Sequence, residues 1–311
     1  MRFKLSLIAA GVLAAASVVT TTAQAAPAFA DVIVMMDESG SMAGEQVWIA
    51  SQIPTLNAGL VAEGVGVGGT NKFGLIGFGY SAAGAPNDLR GFDVATGGGA
   101  TNNSPGTFGT AANFSASAGN LIASGGFEDG YAAINLANSL AGRVGAARNY
   151  ILVTDEDRDV GTGVPGYEGI LASMTRTNTL LNAVVNSSFF CDNTSALGVA
   201  RGPGSSLVSF VADGLGGFSK CTGTTTLGTG FGSTVADYVN LALDTGGAAW
   251  NLNFLRSGGL LADSFTAAFI DVKIEEITTQ PEPVSLPGTL ALLGVGLAGL
   301  GAVRRKQANA V

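Results

Sequence analysis

The strongest constraint on the fold is an apolar segment that ends abruptly in oxygen-bearing side chains. The sequence DVIVMM at 31–36 is almost entirely apolar, and DESGS at 37–41 follows it directly. A short apolar run bounded by turn residues predicts a buried strand. Because glycine and serine are small, the turn after the strand can bring several oxygen atoms to face one point. We therefore expect a strand that delivers a carboxylate to a polar site.

Similar apolar segments recur along the chain, with helical patterns between them. Further strands are predicted at 72–80, 148–155 and 178–190, and helices at 45–64, 128–142, 233–247 and 262–277, the last with a passage into a strand as its alternative ending. This alternation predicts a doubly wound, mostly parallel α/β sheet flanked by helices, in one domain at 31–276. The stretch 191–232 is rich in Gly, Ser and Thr and predicts an insertion.

The N-terminus has the layout of a secretory signal peptide. Arg2 and Lys4 precede an apolar run that ends in small residues, which predicts a signal peptide at 1–25 with cleavage after Ala25. Ala30 is the alternative cleavage site. A transmembrane anchor is less favoured because the apolar core is short.

The two cysteines of the chain are Cys191 and Cys221. In an exported protein an even, small number of cysteines predicts a disulfide. The bond would close a loop of about 30 residues, which would contribute roughly 3–4 kcal/mol to stability in the chain-entropy model. Two free buried thiols are the alternative.

The C-terminus combines a proline-flanked acid, an apolar run and a basic cluster. As a helix the run at 287–303 would span about 25 Å, slightly short of the roughly 30 Å hydrocarbon core. It predicts a short transmembrane helix whose basic end stays on the cytoplasmic side. It lies between the motif Pro281, Glu282, Pro283 and the basic residues Arg304, Arg305, Lys306.

Together these parts resemble the PEP-CTERM sorting signal, at 281–306. The resemblance implies a transient membrane anchor that an exosortase recognises and cleaves in a Gram-negative bacterium. The mature protein would then reside at the cell surface or in the extracellular matrix, such as that of a biofilm.

Composition limits the partners of such a protein. The full chain has a net charge of −8 and contains no histidine. Removal of the two basic ends would make it more acidic, which disfavours binding to nucleic acid or anionic lipid and favours binding to cations. Because histidine is absent, the sequence lacks the commonest general base and the commonest transition-metal ligand.

Two predicted strands end in carboxylates that the fold would bring together. Ligands of doubly wound sheets bind beyond the carboxyl ends of the strands, where Asp37 and Asp155 are expected. Ser39 and Ser41 add hydroxyl oxygens on the turn after the first strand. Carboxylates and hydroxyls are ligands for hard cations such as Mg²⁺, with Mn²⁺ and Ca²⁺ as alternatives.

The motif DESGS resembles the D-x-S-x-S motif that begins the metal-ion-dependent adhesion site (MIDAS) of von Willebrand factor type A (vWA) domains, which have a Rossmann-like fold. VTDEDRD at 153–159 matches the later acidic element of that family through Asp155. The middle loop, SGGFEDGYAAI at 124–134, has no threonine and is similar to the integrin β-subunit version. The resemblance implies Glu128 as a further metal ligand, with Asp129 as the alternative.

The acidic run after Asp155 has two interpretations. Glu156, Asp157 and Asp159 could bind a second ion such as Ca²⁺. Because Arg158 lies among them, a solvated loop is favoured.

These features predict an exported adhesion or matrix-binding module whose metal ion binds an acidic group on a protein or exopolysaccharide. A structural matrix protein, in which the metal only stabilises the fold, is the alternative. A metal-dependent hydrolase is disfavoured because the sequence has neither histidine nor a G-x-S-x-G motif. We therefore expect no enzymatic activity.

Overall fold

The structure is a computed structural model that describes residues 27–80 and 88–280. Its main feature is one large twisted sheet, with a smaller sheet beside one edge. The strands are β1 Ala30–Asp37, β2 Lys72–Tyr80, β3 Asp88–Phe92, β4 Ala100–Asn102, β5 Ala147–Thr154, β6 Thr179–Val185, β7 Ser187–Cys191, β8 Thr194–Ala196, β9 Gly198–Arg201, β10 Leu207–Ala212, β11 Phe218–Lys220, β12 Thr225–Gly230 and β13 Ala248–Asn251.

In the described part of the chain the large sheet has ten strands in the order β11-β10-β9-β13-β6-β5-β1-β2-β3-β4. Its five central strands, from β13 to β2, are parallel, and antiparallel strands extend both edges. The inner order β3-β2-β1-β5-β6-β13 is the order of a doubly wound α/β fold. The predicted fold class is confirmed.

Helices cover both faces of this sheet. They are α1 Ala43–Ala62, α2 Ala111–Ala118, α3 Gly130–Ser139, α4 Tyr167–Arg176, α5 Asn240–Asp244, α6 Leu252–Arg256 and α7 Gly259–Thr279, and a π-helix at Val235–Val239 leads into α5. The predicted helix at 262–277 forms as part of α7, which remains helical to Thr279.

The alternation of side chains along β1 explains the two helical layers. Val32 and Val34 pack in the same apolar cluster as buried residues of α1, α2 and α7. Ile33 and Met35 pack in a second cluster with α3, α4 and α5. Because all eight residues of β1 are buried, this strand is the centre of both cores.

A group of aromatic rings fixes α7 against the sheet. Trp250 of β13 has ring centroids 6.1 Å from Phe265 and 5.6 Å from Phe269, and both pairs meet edge to face. Trp48 of α1 contacts the same two phenylalanines at 5.7 and 5.3 Å. Such pairs stabilise the core beyond the area that they bury.

The stretch 191–232, predicted as an insertion, is instead part of regular β-structure. β9, β10 and β11 continue the large sheet beyond β13, while β12, β7 and β8 form the three-stranded sheet. Buried Val199 and Phe210 attach this region to the two apolar cores. The strands are short and separated by glycine-containing turns, so their periodicity is weak in the sequence.

The predicted disulfide between Cys191 and Cys221 forms. Cys191 ends β7 in the small sheet, whereas Cys221 directly follows β11 at the edge of the large sheet. The covalent bond therefore joins the two sheets.

Across residues 27–80 and 88–280, no helix combines the length and hydropathy needed to cross a membrane. The predicted signal peptide at 1–25 and the predicted transmembrane helix and sorting signal at 281–306 lie outside the described residues.

Replacing Phe269 by alanine should reduce the free energy of unfolding by about 3–5 kcal/mol, because the ring is fully buried among aromatic side chains. Leu260 also lies on α7 but is 54% exposed. Leu260→Ala should therefore change the free energy of unfolding by no more than about 0.5 kcal/mol. Urea unfolding of both variants measures the difference. Equal losses would show that the aromatic cluster does not carry the packing of α7.

Candidate metal centre

The candidate metal centre lies where the strand order of the sheet reverses. β1 pairs with β2 on one side and with β5 on the other, both in parallel. The chain therefore leaves β1 and β5 towards opposite edges of the sheet, and a crevice opens between their carboxyl ends. Asp37 is the last residue of β1, and Asp155 directly follows β5.

Asp37 is completely buried at the bottom of this crevice. Its Oδ2 accepts a hydrogen bond from Thr154 Oγ1 at 2.7 Å, and its Oδ1 accepts one from the backbone N–H of Ser39 at 2.7 Å. Burial raises the pKa of Asp37 to about 6, although these hydrogen bonds oppose the shift. The carboxylate is thus held by both β5 and the turn that leads into α1.

Ser39, Ser41 and Asp155 form a continuous chain of oxygen atoms at the mouth of the crevice. The two serine Oγ atoms are 3.2 Å apart. Ser41 Oγ donates a hydrogen bond to Asp155 Oδ1 at 3.0 Å. The structure therefore brings together four of the predicted ligands, Asp37 included.

Glu128 approaches the same crevice from the loop before α3. A β-carbon added to Gly79 would lie 3.1 Å from Asp37 Oδ1 and 3.2 Å from Glu128 Cγ, so both side chains flank this glycine. Burial raises the pKa of Glu128 to about 8, and the nearby Asp37 and Asp159 carboxylates add to the shift. The excess of negative charge would favour a cation beside it.

Asp129 has a different role. Its Oδ1 accepts hydrogen bonds from the backbone N–H groups of Tyr131 and Ala132 and so caps α3. Its carboxylate also pairs with Arg158 at 2.8 Å and accepts from the backbone N–H of Gly161. These contacts use both oxygens in the local structure, which favours Glu128 over Asp129 as the middle-loop ligand.

The oxygen atoms fit a small hard cation in kind and spacing. Adjacent ligands of an octahedral Mg²⁺ lie roughly 3 Å apart, since each is about 2.1 Å from the ion. The Ser39–Ser41 and Ser41–Asp155 separations of 3.2 and 3.0 Å match that spacing. Among the residues that the structure describes, no group of three or more Asp, Glu, His or Cys side chains is arranged to hold a metal ion; the fit depends on the two serines.

Arg256 at the end of α6 is a part of the site that the sequence analysis missed. Its Nη2 lies 2.9 Å from Asp155 Oδ2, and its Nε lies 2.7 Å from Glu45 Oε1. The guanidinium also donates to the backbone carbonyl of Ser41 at 3.2 Å. More than 200 residues separate Arg256 from Glu45, and no local pattern in the sequence could have indicated the pair.

Glu38, the first of the two variable residues of the D-x-S-x-S motif, is also buried and structural. It forms an ion pair with Arg90 of β3 and accepts a hydrogen bond from the backbone N–H of Ile122 at 2.8 Å. Burial raises its pKa to about 7. A β-carbon at Gly77 would lie 2.2 Å from Glu38 Oε2, so only glycine leaves room for this carboxylate beside β2.

The acidic run after Asp155 is used in loop contacts. Asp157 Oδ2 accepts a hydrogen bond from the backbone N–H of Ser233 at 3.1 Å. Asp159 Oδ2 accepts one from the backbone N–H of Glu128 at 3.1 Å. These bonds favour a structural role for the loop over a second ion site, and they position Glu128.

Comparison with known proteins identifies one sequence motif. Residues 283–306 match the model of the PEP-CTERM protein-sorting motif. The prediction of a sorting signal is confirmed, and this signal indicates export, processing by exosortase, and a location at the surface or in the extracellular matrix of a Gram-negative bacterium. No curated protein matches the chain by sequence.

Solved structures that match part of the chain include a vWA domain and a matrix protein. Proximal thread matrix protein 1 from the mussel byssus is 16% identical, with a TM-score of 0.35, over 52% of this chain and 39% of that chain. A structure of the same protein with a zinc-occupied MIDAS motif has a TM-score of 0.32. The SpRpn10 VWA domain is 11% identical, with a TM-score of 0.33, over 50% of this chain and 75% of that chain. The match spans about two fifths of the mussel protein.

The strand order and the place of the motif agree with each other. In this doubly wound sheet, D-x-S-x-S follows the central strand and an aspartate follows the neighbouring strand, which is where the resemblance to vWA domains predicts them. The chain thus combines a doubly wound α/β fold with a PEP-CTERM sorting signal.

Without a divalent cation, the protein should lose stability as the pH rises from about 4 to about 8. In the folded state Asp37 keeps its proton up to about pH 6 and Glu128 up to about pH 8. In the unfolded state carboxyl groups lose their protons near pH 4. The stability that these groups contribute is complete below the unfolded pKa and is lost as the pH passes the folded pKa.

The side chain introduced by Glu128→Gln cannot ionise. The stability of this variant should therefore fall less steeply than that of the wild type above about pH 6. The melting temperature in chelator between pH 5 and 9 measures this, with Glu168→Gln on the exposed face of α4 as the control. If the melting temperature fell equally steeply with pH in Glu128→Gln and the wild type, the raised pKa assigned to Glu128 would be contradicted.

Proposed function

We propose that the protein is an exported adhesion or matrix-binding module that binds a partner through a divalent cation. The observation that carries this proposal is the convergence of Asp37, Ser39, Ser41 and Asp155 at the switch point of the sheet. Mg²⁺ is the proposed ion because the ligands are hard oxygens, and Mn²⁺ or Ca²⁺ would suit the same atoms.

Each residue has a distinct part in this proposal. Ser39, Ser41 and Asp37 hold the cation on the turn after β1. Asp155 binds it directly or through water, and Glu128 supplies additional negative charge. Thr154 and the Ser39 backbone N–H orient Asp37. When bound, the cation offers a Lewis-acidic position to an oxygen atom of a partner.

The proposed partner carries an acidic group, either on a protein or on an exopolysaccharide. The chain itself has a net charge of −8, so an acidic polymer would be repelled from its surface without a cation between them. A partner carboxylate at the metal would bring together two surfaces that otherwise repel each other. Adhesion would consequently depend on the concentration of the cation.

The proposal gives the site a binding role and no catalytic one. A hydrolytic site would need a general base close to the reacting atoms. Histidine does not occur in the sequence, and the carboxylates near Asp37 are assigned to the cation or to loop contacts.

A structural matrix protein is the second candidate, because the site joins separate parts of the fold. Asp37, Thr154 and Ser41 link β1, β5 and the turn before α1 through hydrogen bonds. A cation bound there would stabilise the domain without any partner. Under this alternative, a chelator lowers the melting temperature but leaves retention in the matrix unchanged.

Calorimetric titration with Mg²⁺, Mn²⁺ and Ca²⁺ should show saturable binding to the wild-type protein. Asp37→Ala should abolish the binding because it removes the buried carboxylate. Ser41 is exposed, so Ser41→Ala should weaken binding by roughly tenfold, about 1.4 kcal/mol, with little risk to folding. Asp271→Ala, on the exposed side of α7, is the control. Unchanged binding in both site variants would contradict the proposal.

Cells that produce Ser41→Ala should retain less of the protein at the surface or in the matrix than cells that produce the wild type. The reason is that weaker cation binding would leave fewer sites occupied for the partner's acidic group. Immunoblotting of the matrix and the medium, with and without added Mg²⁺, measures the retained fraction. Equal retention of Ser41→Ala and Asp271→Ala would favour the structural alternative.

A further inference from the structure

The side chain of Arg256 forms one wall of the candidate metal centre. Its guanidinium contacts Asp155 Oδ2 at 2.9 Å, Glu45 Oε1 at 2.7 Å and the backbone carbonyl of Ser41 at 3.2 Å. It thus contacts two of the proposed ligand residues, Ser41 and Asp155, besides Glu45. Arg256 Nη2 also lies 3.4 Å from Met42 Sδ.

We propose that Arg256 is an internal counter-cation that competes with the divalent cation for Asp155 and so sets the affinity of the site. This inference rests on the proposed function, because it concerns the regulation of the same site. Asp155 uses Oδ1 to accept from Ser41 and Oδ2 to pair with Arg256. A cation bound at these atoms would lie close to a fixed positive charge.

Charge and geometry both support the competition. Like charges a few ångströms apart repel each other, and they do so more strongly in a partly buried site than in water. Arg256 is held on its other side by Glu45, whose carboxylate is almost completely buried. The guanidinium therefore has a second anion towards which its charge is drawn when a cation occupies the site.

This arrangement gives Glu45 a defined role. Glu45 lies in the first turn of α1, four residues after Ser41. Its carboxylate offsets part of the Arg256 charge without touching Asp155. Loss of Glu45 would leave the guanidinium with Asp155 as its remaining carboxylate partner, and the affinity for the cation would fall.

The charge of Arg256, and not its shape alone, should control the affinity. Arg256→Gln should bind Mg²⁺ roughly tenfold more tightly than the wild type, since one positive charge is removed next to the site. Arg256→Lys keeps the charge and should stay within about threefold of the wild type. Glu45→Gln should weaken binding by roughly tenfold.

The test is calorimetric titration of the full chain and these three variants with Mg²⁺ alone. Arg201→Gln is the control, because Arg201 forms a comparable pair with Asp244 at 2.8 Å elsewhere in the fold. Melting temperatures in chelator and in saturating Mg²⁺ provide a second readout. Arg256→Gln should melt lower than the wild type in chelator, and saturating Mg²⁺ should reduce the difference.

The outcomes separate this inference from the proposed function. Tighter binding by Arg256→Gln and weaker binding by Glu45→Gln, each relative to the wild type, support the inference. Saturable binding by the wild type with equal or weaker binding by Arg256→Gln overturns the inference and leaves the proposed function intact. No binding by the wild type or by any variant overturns both.

Discussion

The structure depends on the parallel pairing of β1 with β5. This pairing places the carboxyl ends of the two strands side by side, although the chain leaves them towards opposite edges of the sheet. Every residue of β1 is buried, and the strand contributes to both apolar cores. At the end of this pair, the Thr154 hydroxyl donates to the Asp37 carboxylate at 2.7 Å. The same pairing that closes the core therefore positions the oxygen atoms, because a parallel sheet places its carboxyl ends together.

The site concentrates negative charge that the surrounding structure offsets only in part. Burial holds the pKa of Asp37 and Glu128 above the ordinary range of carboxyls. Arg256 is paired with Asp155, and Arg158 and Arg90 are engaged by Asp129 and Glu38. A site of this kind is costly without a cation and gains from binding one. The proposed binding function follows from that imbalance.

The sequence was sufficient where the signal was local. The apolar runs that end at Asp37 and Asp155, the serine turn and the Cys191–Cys221 disulfide were predicted from short segments or from the export context. The weak periodicity of 191–232 hid five short strands and the end of β7, because these strands are ordered by pairing with other strands, such as β9 with β13, and not by a local sequence pattern. Arg256 and Glu38 were missed because their partners are distant in the sequence.

The most direct test of the central claim is a crystal structure of the protein in Mn²⁺, with anomalous scattering used to locate the ion. One strong peak is expected roughly 2–2.5 Å from oxygen atoms of Asp37, Ser39 and Ser41, with Asp155 on the same side of the crevice. A peak only at other positions, or none at saturating Mn²⁺, would contradict the claim that the switch point of this sheet is a cation site.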